Sequence, residues 1–237
     1  MADLKTRLIQ LLDLGRSFQQ QLIADLDPAQ RNAPGTWENW SVKDELAHVI
    51  AWQLNALARI AALMHAEPIP DFSDYPTINR RIYDTNRDRT LADIAAEGDR
   101  AYADFKALVE SSSADDLSRP LPFSEKETST LSAQLIGNCL EHPVLHYADY
   151  YRRHGDLPRA LHVYDASVAA VADWPDQYAL ARYNQACFYA LNGQAEQALA
   201  VLGEALRLRP DLVEWSKQDA DLDALRPLAA YQALYAA

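Results

Sequence analysis

The chain has 237 residues, 49% of them apolar and 24% charged, with 34 acidic against 22 basic side chains and a formal net charge of −12. That size and composition suit two domains with packed cores and exclude disorder over most of the length. The negative field repels phosphate backbones and anionic headgroups, so neither nucleic acid nor a membrane is an expected partner.

Seven glycines against twelve prolines, among abundant Ala and Leu, favour helices joined by proline-marked loops, and the expected class is all-α. Leu4, Leu8, Leu11, Phe18, Leu22 and Leu26 fall at helical spacing in a first helix, closed by Pro28 and by Pro34-Gly35. A second starts at Ser41, with Asp44 completing a capping signature, and runs to about His65 with Leu46, Val49, Ile50, Trp52, Leu57, Ile60 and Leu63 on its stripe. The polar and aromatic stretch 71–89, DFSDYPTINRRIYDTNRDR, reads as a functional connection with room for one short helix. Thr90 and Asp93 open a third helix, which carries Leu91, Ile94, Ala101, Tyr102, Phe105 and Leu108 to a serine stop at 111–113. After a loop with Pro120 and Pro122, a fourth runs from about Thr130 to His154, with Leu131, Leu135, Ile136, Cys139, Leu140 and Leu145 inward. Four such helices predict a four-helix bundle over 1–155, and the long second-to-third connection permits a crossover topology.

The remainder, 156–237, changes character. Residues 179–212 place Ala186, Tyr189, Gly193, Ala198, Ala205 and Pro210 at a spacing that resembles a tetratricopeptide repeat. Small residues let two helices approach closely, the glycine turns the chain and the proline ends the second helix. A weaker copy, Ala148, Tyr151, Gly155, Ala160 and Tyr164, sits at a constant offset of 38 residues upstream, so that the fourth bundle helix doubles as the first repeat helix. The tail from Trp215 to Tyr235 is expected to cap the array.

Cys139 and Cys187 lie in apolar helical patterns and read as buried reduced thiols. The N-terminus has acids at Asp3 and Asp13 and no secretory h-region, so a cytoplasmic location is expected and the Asn39-Trp40-Ser41 acceptor match carries no weight.

Three histidines form a candidate site. His48 lies on the second helix; His142 and His146, four apart, project from one face of the fourth. If those helices are neighbours, three neutral imidazoles converge in the open set expected of a catalytic zinc, nickel or similar divalent ion. Asp44, Glu45 and Glu141 are candidates to orient an imidazole or act as a base, although Asp44 is already explained by its cap. Trp37, Trp40, Trp52, Asn79, Arg80 and Tyr83 are candidates to line the mouth of the bundle, with Arg80 and Arg81 available to an anionic substrate or thiol.

The segments NWSVKDELAHVIAWQ and EHPVLHYADYYRRHGDLP resemble the second and fourth helices of DinB-like bundle proteins, and TINRRIYDTNRDRT resembles the inter-helix segment of their DfsB-like branch. The resemblance, over roughly residues 1–155, implies a metal held by His48, His142 and His146. It also implies thiol-dependent transferase or isomerase chemistry on small electrophiles, with pairing into a homodimer common. One departure is Pro143: proline biases its predecessor away from α geometry, which turns His142 off the i, i+4 direction or, through a kink, aims it inward.

Glycine-rich phosphate loops, G-x-S-x-G, C-x-x-C and H-E-x-x-H motifs are absent from the sequence, which removes nucleotide hydrolysis, serine-type acyl transfer and zincin proteolysis. Two readings remain. The first is a metal-dependent hydrolase or thiol transferase acting on a small electrophilic substrate, with a low-molecular-weight thiol as co-substrate. The second is a non-catalytic scaffold that binds a peptide or protein through its repeats.

Overall fold

The computed structural model describes residues 3–33, 35–124 and 127–236, in two compact units, Met1–Val163 and Tyr164–Ala237. Pro34, read above as part of the first helix stop, lies outside the described residues.

In the first unit α1 (Leu4–Asp25) begins where the Asp3 side chain accepts the Thr6 N–H, and it buries Leu8, Leu11, Phe18 and Leu22. α2 (Val42–Met64) opens on a reciprocal capping box between Ser41 and Asp44. The 71–89 connection folds one 12-residue helix, α3 (Tyr75–Asn86), before α4 (Leu91–Ser111) starts at the Thr90 cap. α1 and α2 each pack on α4 and on α7 (His142–Arg153). The order round the bundle is therefore α1, α4, α2, α7, a crossover that the long connection between α2 and α4 allows. By length and composition α2 would pass for a membrane span. Its first turns instead bury Lys43, Asp44, Glu45 and His48 among the other bundle helices.

Three sequence expectations are corrected here. After the short helix α5 (Ala114–Ser118), the loop expected around Pro120 and Pro122 is an antiparallel pair, β1 (Pro120–Ser124) on β2 (Glu127–Thr130). A two-stranded ribbon is all edge, so a proline without an N–H is tolerated. The fourth helix is broken: α6 (Leu131–Ile136) passes through a π-turn at Gly137–Glu141 into α7. Pro143 has no N–H for the Cys139 carbonyl four residues back, and its ring crowds that carbonyl; widening the turn relieves both problems. The His142 N–H accordingly bonds to Gly137, five residues back. Leu145 is 38% exposed, because Val144 takes the buried place one turn after Leu140 and Leu145 lies about 100° further round the helix.

The π-turn also explains a glycine in α1. A Cβ on Gly15 would stand 1.9 Å from the Cys139 carbonyl oxygen, so only glycine lets α1 lie this close to the widened turn.

The division between the units falls within α8 (Leu157–Ala170). In the second unit α9 (Pro175–Leu191) and α10 (Ala195–Leu208) form a hairpin whose core includes Tyr183, Ala186, Ala190, Ala198, Leu202 and Ala205. Leu222, Leu225 and Tyr231, from the short helical turns that follow, complete that core. Two helix-ending turns share one backbone geometry. Gly155 (φ 80°) and Gly193 (φ 70°) both adopt the left-handed conformation that ends a helix. Asp156 N bonds to Tyr151 O and Gln194 N to Tyr189 O, each at 2.9 Å, while Gly155 N to Arg152 O and Gly193 N to Ala190 O are each 3.1 Å. Ala148 and Ala160, like Ala186 and Ala198, are fully buried.

Candidate metal centre

Two polar stripes face each other inside the first unit. On α2 they are Glu45, His48 and Trp52; on α7 they are His142, His146, Asp149 and Arg153, each set at helical spacing of three and four. The π-turn ends before His142, whose φ of −61° and ψ of −46° are ordinary α values despite Pro143. The i, i+4 direction of the pair therefore survives, and His142 Nε2 lies 3.0 Å from His146 Nε2. His48 completes a set whose donor atoms all lie within 4.8 Å of one another.

Burial, with a smaller contribution from His146, lowers the His48 pKa to about 3. His142 is held well below its usual value by burial first, then by His146 and His48. Both are neutral at physiological pH, the form that binds a metal. Three neutral imidazoles are a donor set that suits a divalent ion, and the His142–His146 pair also meets the distance limit: donors on one ion at about 2.0–2.1 Å stand at most about 4.2 Å apart, and this pair is at 3.0 Å. His48 Nδ1 is buried without a hydrogen-bond partner, which is costly in a closed core and suits a coordinating group.

Glu45 lies behind this set. Its buried carboxylate receives His146 Nδ1 on Oε2 at 2.8 Å and the Arg153 guanidinium on Oε1. A carboxylate at Nδ1 accepts only from the Nδ1–H tautomer, which leaves the His146 Nε2 lone pair directed at the other imidazoles. This geometry gives Glu45 an orienting role. Glu141 occupies the last position of the π-turn, with Oε2 beside Gly137. Asp44 is held by Ser41, at 2.9 Å from the backbone N–H and 2.6 Å from the hydroxyl.

The aromatic and polar candidates separate into two groups. Trp37, Arg80 and Tyr83 cluster, the two rings edge to face and the Arg80 guanidinium 5.4 Å from the Trp37 ring centroid, and line a cleft of about 380 Å³ with Gly35, Asp44 and Arg87. Arg80 is already paired with Asp84 at 2.9 Å. Trp52 presents an edge to His48 and donates its indole N–H to Asn79 Oδ1 at 2.9 Å. Arg81 is exposed on α3. Trp40 joins the two groups: its ring is nearly parallel to His146, 6.4 Å between centroids, and 5.0 Å from His48. Cys139 and Cys187 are free and buried, and burial raises both thiols well above their usual range, so neither is a ready thiolate.

Sequence reading did not find Arg153 or Asn39. The signal for Arg153 was its place seven residues after His146, two turns along the same face. Asn39 reaches the site only through the turn that precedes α2 and left no pattern.

Solved structures share the fold over about two thirds of the chain at low sequence identity. An uncharacterised protein of Clostridium difficile 630 superposes with a TM-score of 0.53 at 8% identity, over 64% of this chain and 98% of the other. A Streptococcus pneumoniae protein gives 0.53 at 11%, over 64% and 92%. An uncharacterised protein of Escherichia coli UTI89 gives 0.50 at 16%, over 65% and 91%. No curated protein matches the chain. The model of the DinB superfamily matches residues 11–150, a span that holds all three imidazoles and the greater part of each of the four bundle helices, and the chain belongs to that superfamily.

Proposed function

We propose that the protein is a metal-dependent enzyme, a hydrolase or thiol transferase acting on a small electrophilic substrate, in which His48, His142 and His146 hold one zinc or nickel ion. The observation that carries this reading is the facing pair of His142 and His146 nitrogens at 3.0 Å, with His48 alongside and Glu45 behind. Such an ion supplies Lewis-acid polarisation of a substrate atom. The chain's own groups do the rest: Glu45 holds His146, Trp40 covers the imidazoles on one side, and the cleft of Trp37, Arg80 and Tyr83 accepts an apolar or planar substrate portion. The choice between water and a low-molecular-weight thiol as nucleophile, the DfsB-like assignment and pairing into a homodimer rest on the sequence resemblance.

The test is metal content. Tag-free protein should carry about one divalent ion per chain, lost in His142→Ala and in His48→Ala. Protein that stays metal-free after loading, with an unchanged melting temperature, would sink the reading.

A second reading, a scaffold that binds a peptide or protein through tetratricopeptide-like repeats, is supported by the matching turns at Gly155 and Gly193. It predicts pull-down of a partner by a His142→Ala variant as well as by wild type.

A further inference from the structure

Arg153 is the last residue of α7, two turns beyond His146. Its guanidinium serves three partners. It donates to Glu45 Oε1, to Asp149 Oδ2 at 2.7 Å through Nε, and to Asn39 Oδ1 at 3.4 Å through Nη1. The first contact matters because the Glu45 side chain is only 6% exposed. A carboxylate so buried needs a paired charge, and Arg153 supplies it on the oxygen that His146 does not use. The third contact matters because Asn39 closes a tight turn with Thr36, their backbones exchanging hydrogen bonds of 3.0 and 3.1 Å. That turn carries Trp37 and leads directly into Trp40, which lies over His146 and against His48.

We propose that Arg153 is a positioning residue of the metal centre: through Glu45 it fixes the orientation of His146, and through Asn39 it holds the turn that sets Trp40 over the imidazoles. The inference rests on the metal reading above. One fork-shaped cation thereby ties the face of the site supplied by α7 to the covering face supplied by the turn before α2. A lysine would keep the charge but not the fork that reaches three acceptors at once.

The test uses the full-length chain and Co²⁺ as probe, with affinity read by titration, geometry by the visible d–d absorption bands, and the aromatic cover by Trp fluorescence on binding. Arg153→Met is expected to bind Co²⁺ about 10-fold more weakly, the usual scale for losing a partner that orients a ligand, with altered band positions and a smaller fluorescence change. Arg153→Lys, which preserves the charge and so protects the fold, should show the same band shift with a smaller loss of affinity. Glu45→Gln should weaken binding at least as much as Arg153→Met, and the double variant should bind no more weakly than Glu45→Gln alone, because Arg153 reaches the ligand His146 through Glu45, whereas the fluorescence change, set through Asn39, should be smaller in the double variant than in Glu45→Gln. Wild-type affinity and spectrum in Arg153→Met and Arg153→Lys, or fully additive losses, would overturn the proposal while leaving the metal reading intact. Failure of the wild type itself to bind Co²⁺ would overturn both.

Discussion

Gly15→Ala is the most direct probe of how the broken fourth helix is accommodated. A Cβ at this position would lie 1.9 Å from the Cys139 carbonyl oxygen and 3.0 Å from its carbon, both backbone atoms. Reaching even 3.0 Å from the oxygen requires a displacement of about 1.1 Å (3.0 − 1.9), and no flexible side chain can yield to provide it. Overpacking of this kind costs roughly 3 kcal/mol at the upper end of the usual range. The gain in helix propensity from Gly to Ala returns about 1 kcal/mol, so the net loss is about 2 kcal/mol. With a urea dependence near 2 kcal/mol/M, the unfolding midpoint of the first unit should fall by about 1 M. Gly137→Ala is the matched control: it lies in the π-turn itself, yet the nearest atom to its Cβ is Glu141 Oε2 at 3.8 Å. That variant should be neutral or more stable by up to about 1 kcal/mol. Urea denaturation followed by far-UV circular dichroism measures both. Equal midpoints for the two variants, or a Gly15→Ala midpoint at or above wild type, would refute the account of α1 packing on the π-turn.

Alkaline pH provides a second check. Hydrogen bonding to Asp13, with burial, raises the Tyr102 pKa to about 12, and burial raises Tyr151, whose hydroxyl donates to Asp25 at 2.7 Å, to about 12. Both folded values exceed the unfolded value near 10, so the stability these groups contribute is fully present below pH 10 and is lost as pH rises towards 12. Tyr102→Phe and Tyr151→Phe should therefore lose less stability than wild type over that interval in denaturation series at fixed pH; parallel curves would contradict the assignment. Lys43 is 4% exposed and donates its ammonium to the carbonyls of Arg87 and Arg89, at 3.1 Å for the latter, clamping the turn between α3 and α4. Lys43→Met should cost roughly 2 kcal/mol, the scale of a charged hydrogen bond, with faster amide exchange at residues 87–90; unchanged exchange there would show that the clamp is idle.

The all-α class, the start of each long bundle helix and the three histidines were legible because each depends on local chemistry. Capping residues satisfy orphan N–H groups, three-and-four spacing marks one face, and Pro and Gly end helices. Ser41 with Asp44, Thr90 with Asp93, and Gly155 with Gly193 behave as their local sequences require.

What needed the tertiary structure was every consequence of one segment meeting another. The sequence showed that Pro143 perturbs its helix but left open which way His142 would turn. The answer came from a π-turn that places Cys139 against Gly15, 124 positions away, and returns His142 to α geometry. The sequence offered Glu45 as a candidate to orient an imidazole, but nothing in it paired that residue with Arg153 on a separate helix. Only the crossover, which makes α2 and α7 neighbours, buries Glu45 between His146 and Arg153. Five of the six residues expected to form one mouth fall into two groups: Trp37, Arg80 and Tyr83 meet in one cluster, while Trp52 and Asn79 satisfy each other elsewhere. Periodicity specifies which face of a helix is buried; it does not specify the partner, because the hydrophobic effect that drives burial has no direction.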